Sequence, residues 1–135
     1  MSKDWVNDIS IMHRKYATNV AVRRMDKETL KEFLSFRLKF LDEELQETLN
    51  AVKSGDPEEV VDGLIDLCVV AIGTLDAFEV DAYKAWDEVL KANMKKIIGV
   101  KEERPNPLGL PDLIKPDGWT PPSHEGNHGN ISNDI

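Results

Sequence analysis

Residues 56–79 read DPEEVVDGLIDLCVVAIGTLDAFE. The opening Asp56-Pro57-Glu58-Glu59 is a helix start: Asp56 at the N-cap, Pro57 at N1 where its missing N–H costs nothing, and Glu59 at N3 to complete a capping box. From Val60 on, Val61, Leu64, Ile65, Leu67, Val69, Val70, Ile72 and Leu75 place apolar side chains around most of the circumference. A helix of that kind is expected to be buried on nearly all sides, more than one neighbouring helix can cover. The expectation is therefore an all-α fold, a helical bundle of about four helices completed by oligomerisation.

Upstream, Asp26 is a good N-cap with Glu28 in the first turn, and a long helix is expected to run from there to Lys53, with Gly55 as its C′ residue. Residues 53–57 then make a tight connection between antiparallel helices. Nearer the N-terminus, Trp5, Ile9, Met12 and Tyr16 form one apolar stripe of a short helix. Downstream, Asp81 caps a third long helix with the stripe Tyr83, Trp86, Leu90, Asn93 and Ile97, stopped by Gly99. The composition shifts after Val100 to PNPLGLPDLIKPDGWTPP and then SHEGNHGNISNDI. Residues 1–100 are read as the domain and 101–135 as an extended Pro/Gly-rich C-terminal tail. Leu110, Leu113, Ile114 and Trp119 are its expected anchors, the last dozen residues are expected to be mobile, and the segment after Ser123 dispensable.

The balance of 41% hydrophobic and 31% charged residues in 135 is that of a folded domain, large enough for a core without disulfides. With 25 acidic against 17 basic residues the formal charge is -8, which argues against a nucleic-acid surface; any polyanion handled should be small and metal-bridged. The lone Cys68 has no disulfide partner in the chain and is read as a buried thiol in a reducing compartment. No apolar run reaches the ~18 residues of a membrane span, and no signal-peptide core is visible, so the expectation is a cytoplasmic protein without a membrane partner.

The acidic residues carry the chemistry. Phe33, Phe36 and Phe40 follow one another at helical spacing, and Glu44 and Glu47 continue the same stripe. Leu30, Leu34, Leu38, Leu41, Leu45 and Leu49 supply a conventional core face, so Glu44 and Glu47 are expected beside the core and Glu43 on the solvated side. The apolar helix carries Asp62 and Asp66 one turn apart, followed on the same stripe by Val69, Gly73 and Ala77, whose small members leave space. Two carboxylates there repel each other unless cations or donors offset the charge. Set against each other on antiparallel helices, Glu44, Glu47, Asp62 and Asp66 make the all-oxygen set that Mg²⁺ takes together with waters and substrate phosphates. Mn²⁺ is an expected substitute.

The segments LDEELQETL (41–49), DPEEVVDGLIDLCVVAIGTLDAFEVD (56–81) and AWDEVLKANMKKI (85–97) resemble the all-α NTP pyrophosphohydrolase superfamily, the MazG-like group that includes dimeric dUTPases and phosphoribosyl-ATP pyrophosphohydrolases. The chain most resembles its short single-domain members. The resemblance implies cleavage of a nucleoside triphosphate, a dNTP by preference, to monophosphate and pyrophosphate for nucleotide-pool control, by a homodimer or homotetramer. It implies Glu44 and Glu47 as the first metal-binding pair and Asp66 as the later aspartate. The family's second half is E-x-x-D, but Gly63 stands three before Asp66. The role passes to Asp62, with Glu59 and Asp62 as the other way of reading the pair. Glu43 is the candidate proton acceptor. Asn93 and Lys96, with Glu88 a turn earlier, are implied substrate contacts, and Trp119 in the tail is a candidate contact to the base.

Two other readings compete. His124-Glu125-Gly126-Asn127-His128 matches the zinc-protease pattern H-E-x-x-H, but that chemistry needs a helix, and Gly126 and the preceding prolines argue against one. A non-catalytic helical bundle, metal-binding or serving as an interaction module, would be indifferent to Mg²⁺. His13 is read as a surface residue, with contact to a base as the alternative.

Overall fold

In the computed structural model, residues 3–102, 106–110 and 112–131 are described. Pro105 and Pro111 of the tail and the final residues 132–135 lie outside them. Among the described residues there are five helices and one two-stranded sheet, so the fold is all-α. None of these helices is long and apolar enough to cross a membrane. The chain groups into two compact units, Met1–Ala82 with His128–Ile135, and Tyr83–Asn127.

In the first unit, α1 spans Trp5–Lys15, its first turn closed by Asp4, which accepts from the Asn7 N–H at 3.0 Å. After Ala17, left-handed at φ 58°, comes the short helix α2, Thr18–Arg23, which the sequence reading did not contain. Its β-branched residues give little intrinsic helix signal. Tertiary packing holds it, because Val22 is buried with Ala77 and Phe78.

The long helix α3 is Lys27–Ser54, with Asp26 accepting from the Thr29 N–H at 2.8 Å and Gly55 left-handed at φ 69°, as its start and stop residues required. Helix α4, Pro57–Ala77, follows directly. Asp56 accepts from the Glu59 N–H at 3.2 Å, but the Asp56 N–H donates to the Ala51 carbonyl, the bond a capping box reserves for the N3 side chain. Only the aspartate half of the expected box is made.

Helices α3 and α4 run antiparallel in a register fixed by small residues. Gly63 meets Thr48 so closely that a Cβ there would overlap the threonine hydroxyl, and at the far end the rings of Phe33 and Phe78 lie 5.9 Å apart. The face of α3 that is covered is Leu30, Phe33, Leu34, Arg37, Leu41, Glu44, Thr48 and Ala51. This corrects the expected core face: Leu38, Leu45 and Leu49 are exposed, and so is Phe36 of the aromatic stripe. Helix α4 is likewise not covered on all sides within one chain. Val61, Leu64 and Ile65 are exposed, although α1, α2 and α3 all pack on α4.

Helix α4 ends on Phe78, whose side chain is fully buried among Met25, Leu30, Phe33 and Leu34. Glu79 follows at φ 59°, an unfavourable conformation for a non-glycine residue. Its carboxylate accepts from Arg23 Nε at 3.0 Å and from Asn130 Nδ2 at 3.4 Å. The expected mobile end began near His124; of that segment, Asn130 donates its N–H to the Phe78 carbonyl at 2.7 Å, and Ile131 packs on the Val22–Phe78 cluster. Gly129 makes this approach possible, because a Cβ there would overlap the Phe78 carbonyl.

Helix α5, Ala82–Met94, lies in the second unit from Tyr83 on and ends before the expected Ile97. Ile97–Gly99 is instead strand β1, antiparallel to β2, Asp112–Ile114, with Ile97 opposite Ile114. The β-branched pair Ile97-Ile98 suits a strand, and Gly99 leaves room for the Ile114 side chain. Of the expected tail anchors, Ile114 and Trp119 are partly buried, while Leu110 and Leu113 are exposed.

Because a methyl at residue 63 has no space against Thr48, Gly63→Ala is expected to destabilise the protein by about 1–3 kcal/mol despite its better helix propensity. Thr48→Ala in the same chain should recover part of that loss in urea or thermal unfolding.

Candidate active site

The α3–α4 seam carries the acidic residues. Glu44 and Asp66 are half-buried, while Glu43, Glu47 and Asp62 are exposed. The Glu44 carboxyl is held above its usual range, first by partial burial and then by the negative charges of Glu47, Asp66, Asp62 and Glu43. Two antiparallel helices thus bring all five into one electrostatic neighbourhood centred on Glu44. Glu59 lies at the start of α4, exposed, with its backbone N–H on Asp56.

A cavity of about 380 Å³ opens beside them, lined by Glu44, Asp66, Met12, His13, Arg37, Phe40, Val69 and Val70. Its cationic wall was not among the residues singled out from sequence. Arg37 donates from Nε to Thr74 Oγ1 at 3.1 Å and from Nη2 to the Val70 carbonyl at 3.0 Å, and its guanidinium lies 5.8 Å from the Phe40 ring centre. Burial lowers its pKa below the free value. The legible signal was position: Arg37 follows Phe33 by four and precedes Glu44 by seven, on the covered face of α3.

His13 is 5% exposed, which corrects its reading as a surface residue. It lies four after buried Ile9, and its Nδ1 is 2.8 Å from Asp76 Oδ2. A carboxylate only accepts, so the imidazole proton stands on Nδ1. Gly73, expected to leave space, does so for these two side chains: a Cβ there would stand 2.6 Å from Arg37 Nη2 and 3.3 Å from His13 Nε2.

The donor chemistry suits a hard cation. The groups around Glu44 are all carboxylates, and a charge that raises a carboxyl's pKa is a charge a divalent ion relieves. Among the described residues no three His, Cys, Asp or Glu side chains are gathered so that they could hold a metal ion by themselves. Mg²⁺ characteristically uses one or two carboxylates, completing its shell with waters and substrate phosphates.

Glu88, Asn93, Lys96 and Trp119 belong to the second unit. There the Trp119 indole donates to the Ala92 carbonyl at 2.8 Å, and its ring lies 5.3 Å from the Lys96 ammonium and 5.1 Å from that of Lys115. Glu88 accepts weakly from the Ser123 N–H at 3.5 Å, and Asn93 is exposed. Residues 124–128 form turns and not a helix, so the H-E-x-x-H pattern lacks the geometry zinc chemistry requires.

No curated protein and no solved structure matches the chain significantly. A family profile does: phosphoribosyl-ATP pyrophosphohydrolase, over residues 16–93, more than half of the chain and the span that holds α2, α3, α4 and most of α5. With the acidic seam inside the matched region, the chain belongs to the phosphoribosyl-ATP pyrophosphohydrolase family, within the all-α NTP pyrophosphohydrolase (MazG-like) superfamily, and its chemistry is that of a nucleotide pyrophosphohydrolase.

Proposed function

We propose that this protein hydrolyses a nucleoside triphosphate, a dNTP by preference, to the monophosphate and pyrophosphate in a Mg²⁺-dependent reaction. The observation that carries the reading is that Glu44 and Asp66 line one cavity at the α3–α4 seam, where burial and the charges of Glu47, Asp66, Asp62 and Glu43 hold the Glu44 carboxyl above its usual range. Glu44, Glu47, Asp62 and Asp66 are the residues that would hold the ion. When bound, it supplies charge neutralisation at the triphosphate and activation of a water. Glu43, exposed on the next position of α3, accepts the proton released as that water attacks the α-phosphorus, and pyrophosphate leaves. Glu88, Asn93 and Lys96 retain the substrate-contact roles that the family resemblance suggests, and Trp119 of the tail remains a candidate contact to the base.

We also place the working form as a homodimer or homotetramer. Leu38, Leu45, Leu49 and Val52 of α3 and Val61, Leu64 and Ile65 of α4 are exposed, a quantity of apolar surface that association would cover. The single thiol of Cys68 suits a reducing cytoplasm.

The deciding experiment is a panel of NTPs, dNTPs and phosphoribosyl-ATP with Mg²⁺, resolving monophosphate, diphosphate, phosphate and pyrophosphate. Monophosphate and pyrophosphate from a triphosphate, lost with EDTA and in a folded Asp66→Asn variant, is the expected result. Release of single phosphate from every substrate would show the wrong bond, and folded protein inert to the whole panel would favour a non-catalytic bundle. Turnover of phosphoribosyl-ATP alone would replace the substrate and keep the chemistry.

The second acidic pair is tested by two alanine variants. Asp62→Ala is expected to raise the Mg²⁺ requirement or stop turnover, while Glu59→Ala leaves turnover intact. The opposite pattern would move the ligand role to Glu59.

The crowding also has a thermodynamic sign. Glu44 is raised above its ordinary 4.5, so the folded chain holds that proton more tightly than the unfolded one. Its contribution to stability is complete below the unfolded value and declines as pH rises through the raised folded value. Glu44→Gln, fixed in the neutral form, should therefore melt above wild type at neutral pH in EDTA. That gain should shrink to nothing as pH falls below about 4.5.

A further inference from the structure

The cavity beside the carboxylates is graded along its length. Glu44 and Asp66 stand at one level, and seven residues away on each helix, two turns or about 10 Å, stand Arg37 on α3 and Gly73 on α4. The section between them is apolar, with Phe40 and Val69 from the two helices and Met12 from α1. At the far level two polar side chains converge over the bare backbone of Gly73, with His13 Nε2 and Arg37 Nη2 both within 3.3 Å of where a Cβ would stand.

Arginine only donates, whereas a neutral imidazole offers one donor and one acceptor. Arg37 is pinned through Nε to Thr74 and through one Nη2 N–H to the Val70 carbonyl, which leaves the second Nη2 N–H and the two of Nη1 as donors. His13 turns Nδ1 to the Asp76 carboxylate, a contact that places a proton on Nδ1, so in the neutral form of the ring Nε2 is an acceptor. A phosphate presents acceptors only and would match the arginine but not the imidazole. A heteroaromatic ring with a carbonyl or ring nitrogen next to an N–H matches both, and the apolar middle section suits its faces.

We propose that Arg37 and His13, standing over Gly73 at the end of the cavity away from the carboxylates, read the hydrogen-bonding edge of the substrate's nucleobase. Asp76 is the positioning residue that holds His13 in the required tautomer. The inference rests on the nucleotide-hydrolysing reading for its place in the reaction, but its binding test does not require turnover.

The test uses the full chain in three measurements. In EDTA, titration with nucleoside monophosphates is followed by the His13 ring signals in NMR and by calorimetry; inorganic tripolyphosphate is the control. With Mg²⁺, KM and kcat are measured across the four bases, together with inhibition by tripolyphosphate. The variants are His13→Phe, which keeps ring volume without the acceptor, and Gly73→Ala, which crowds both polar groups without removing either; thermal melting confirms that each is folded. Wild-type His13 signals should shift with monophosphates and not with tripolyphosphate. Monophosphate binding should weaken about tenfold in either variant. The spread of KM among bases should narrow by a similar factor, with tripolyphosphate inhibition unchanged. Loss of tripolyphosphate inhibition in step with nucleotide binding would make this a phosphate wall and overturn the proposal. So would His13 signals indifferent to every monophosphate, a result wild-type protein alone can give. A wild type that binds monophosphates through His13 but cleaves no triphosphate would keep the pocket and reject the hydrolase reading.

Discussion

Helices α3 and α4 touch where one of them has no side chain. Gly63 receives Thr48, and Gly73 receives Arg37 together with His13 from α1. Such close approach brings polar groups into a helix seam, and polar groups there must find partners or solvent. Thr48 returns its hydroxyl to the Glu44 carbonyl, Thr74 donates to the Val70 carbonyl while accepting from Arg37, and Arg37 takes Val70 as well. The two threonine bonds lie within their own helices, but sliding α3 along α4 by a turn would break both Arg37 bonds and lift Thr48 out of the space at Gly63, so these contacts fix the register.

That register sets the chemistry. Glu44 and Asp66 face one another because Thr48 faces Gly63 on one side and Arg37 faces Thr74 on the other. The charge excess around Glu44 is left partly uncompensated, since Arg37 stands seven residues away on α3, about 10 Å along the helix. Carboxylates crowded in this way cost stability when charged, and the apolar end of the seam offsets that cost. Phe78, fully buried among Phe33, Leu30 and Val22, anchors that end. The returning segment at Gly129–Ile131 closes it, satisfying the Phe78 carbonyl where α4 stops.

The uncovered apolar residues follow from the same geometry. The three helices packed on α4 leave Val61, Leu64 and Ile65 exposed, and the leucines of α3 that sequence spacing assigned to the core lie outside the seam. Leucines at helical spacing announce an apolar face, but not whether an element of the same chain or a second copy covers it.

Local rules wrote the elements into the chain. Asp26, Gly55, Asp56 and Pro57 placed the boundaries of α3 and α4 because capping and backbone φ preferences act over a few residues. The acidic groups Glu44, Glu47, Asp62 and Asp66 stood out because charge interrupting an apolar pattern is visible without coordinates. Tertiary structure decided the rest. Helix α2 exists because Val22 has Phe78 to pack against, and Ile97–Gly99 left the helix pattern because a strand thirteen residues further on was available to pair with it. The covered face of α3, the burial of His13 and the pinning of Arg37 depend on which partners arrive from distant parts of the chain. Hydrogen bonds and burial between residues far apart in sequence leave no periodic trace within either segment, so only the folded chain could reveal them.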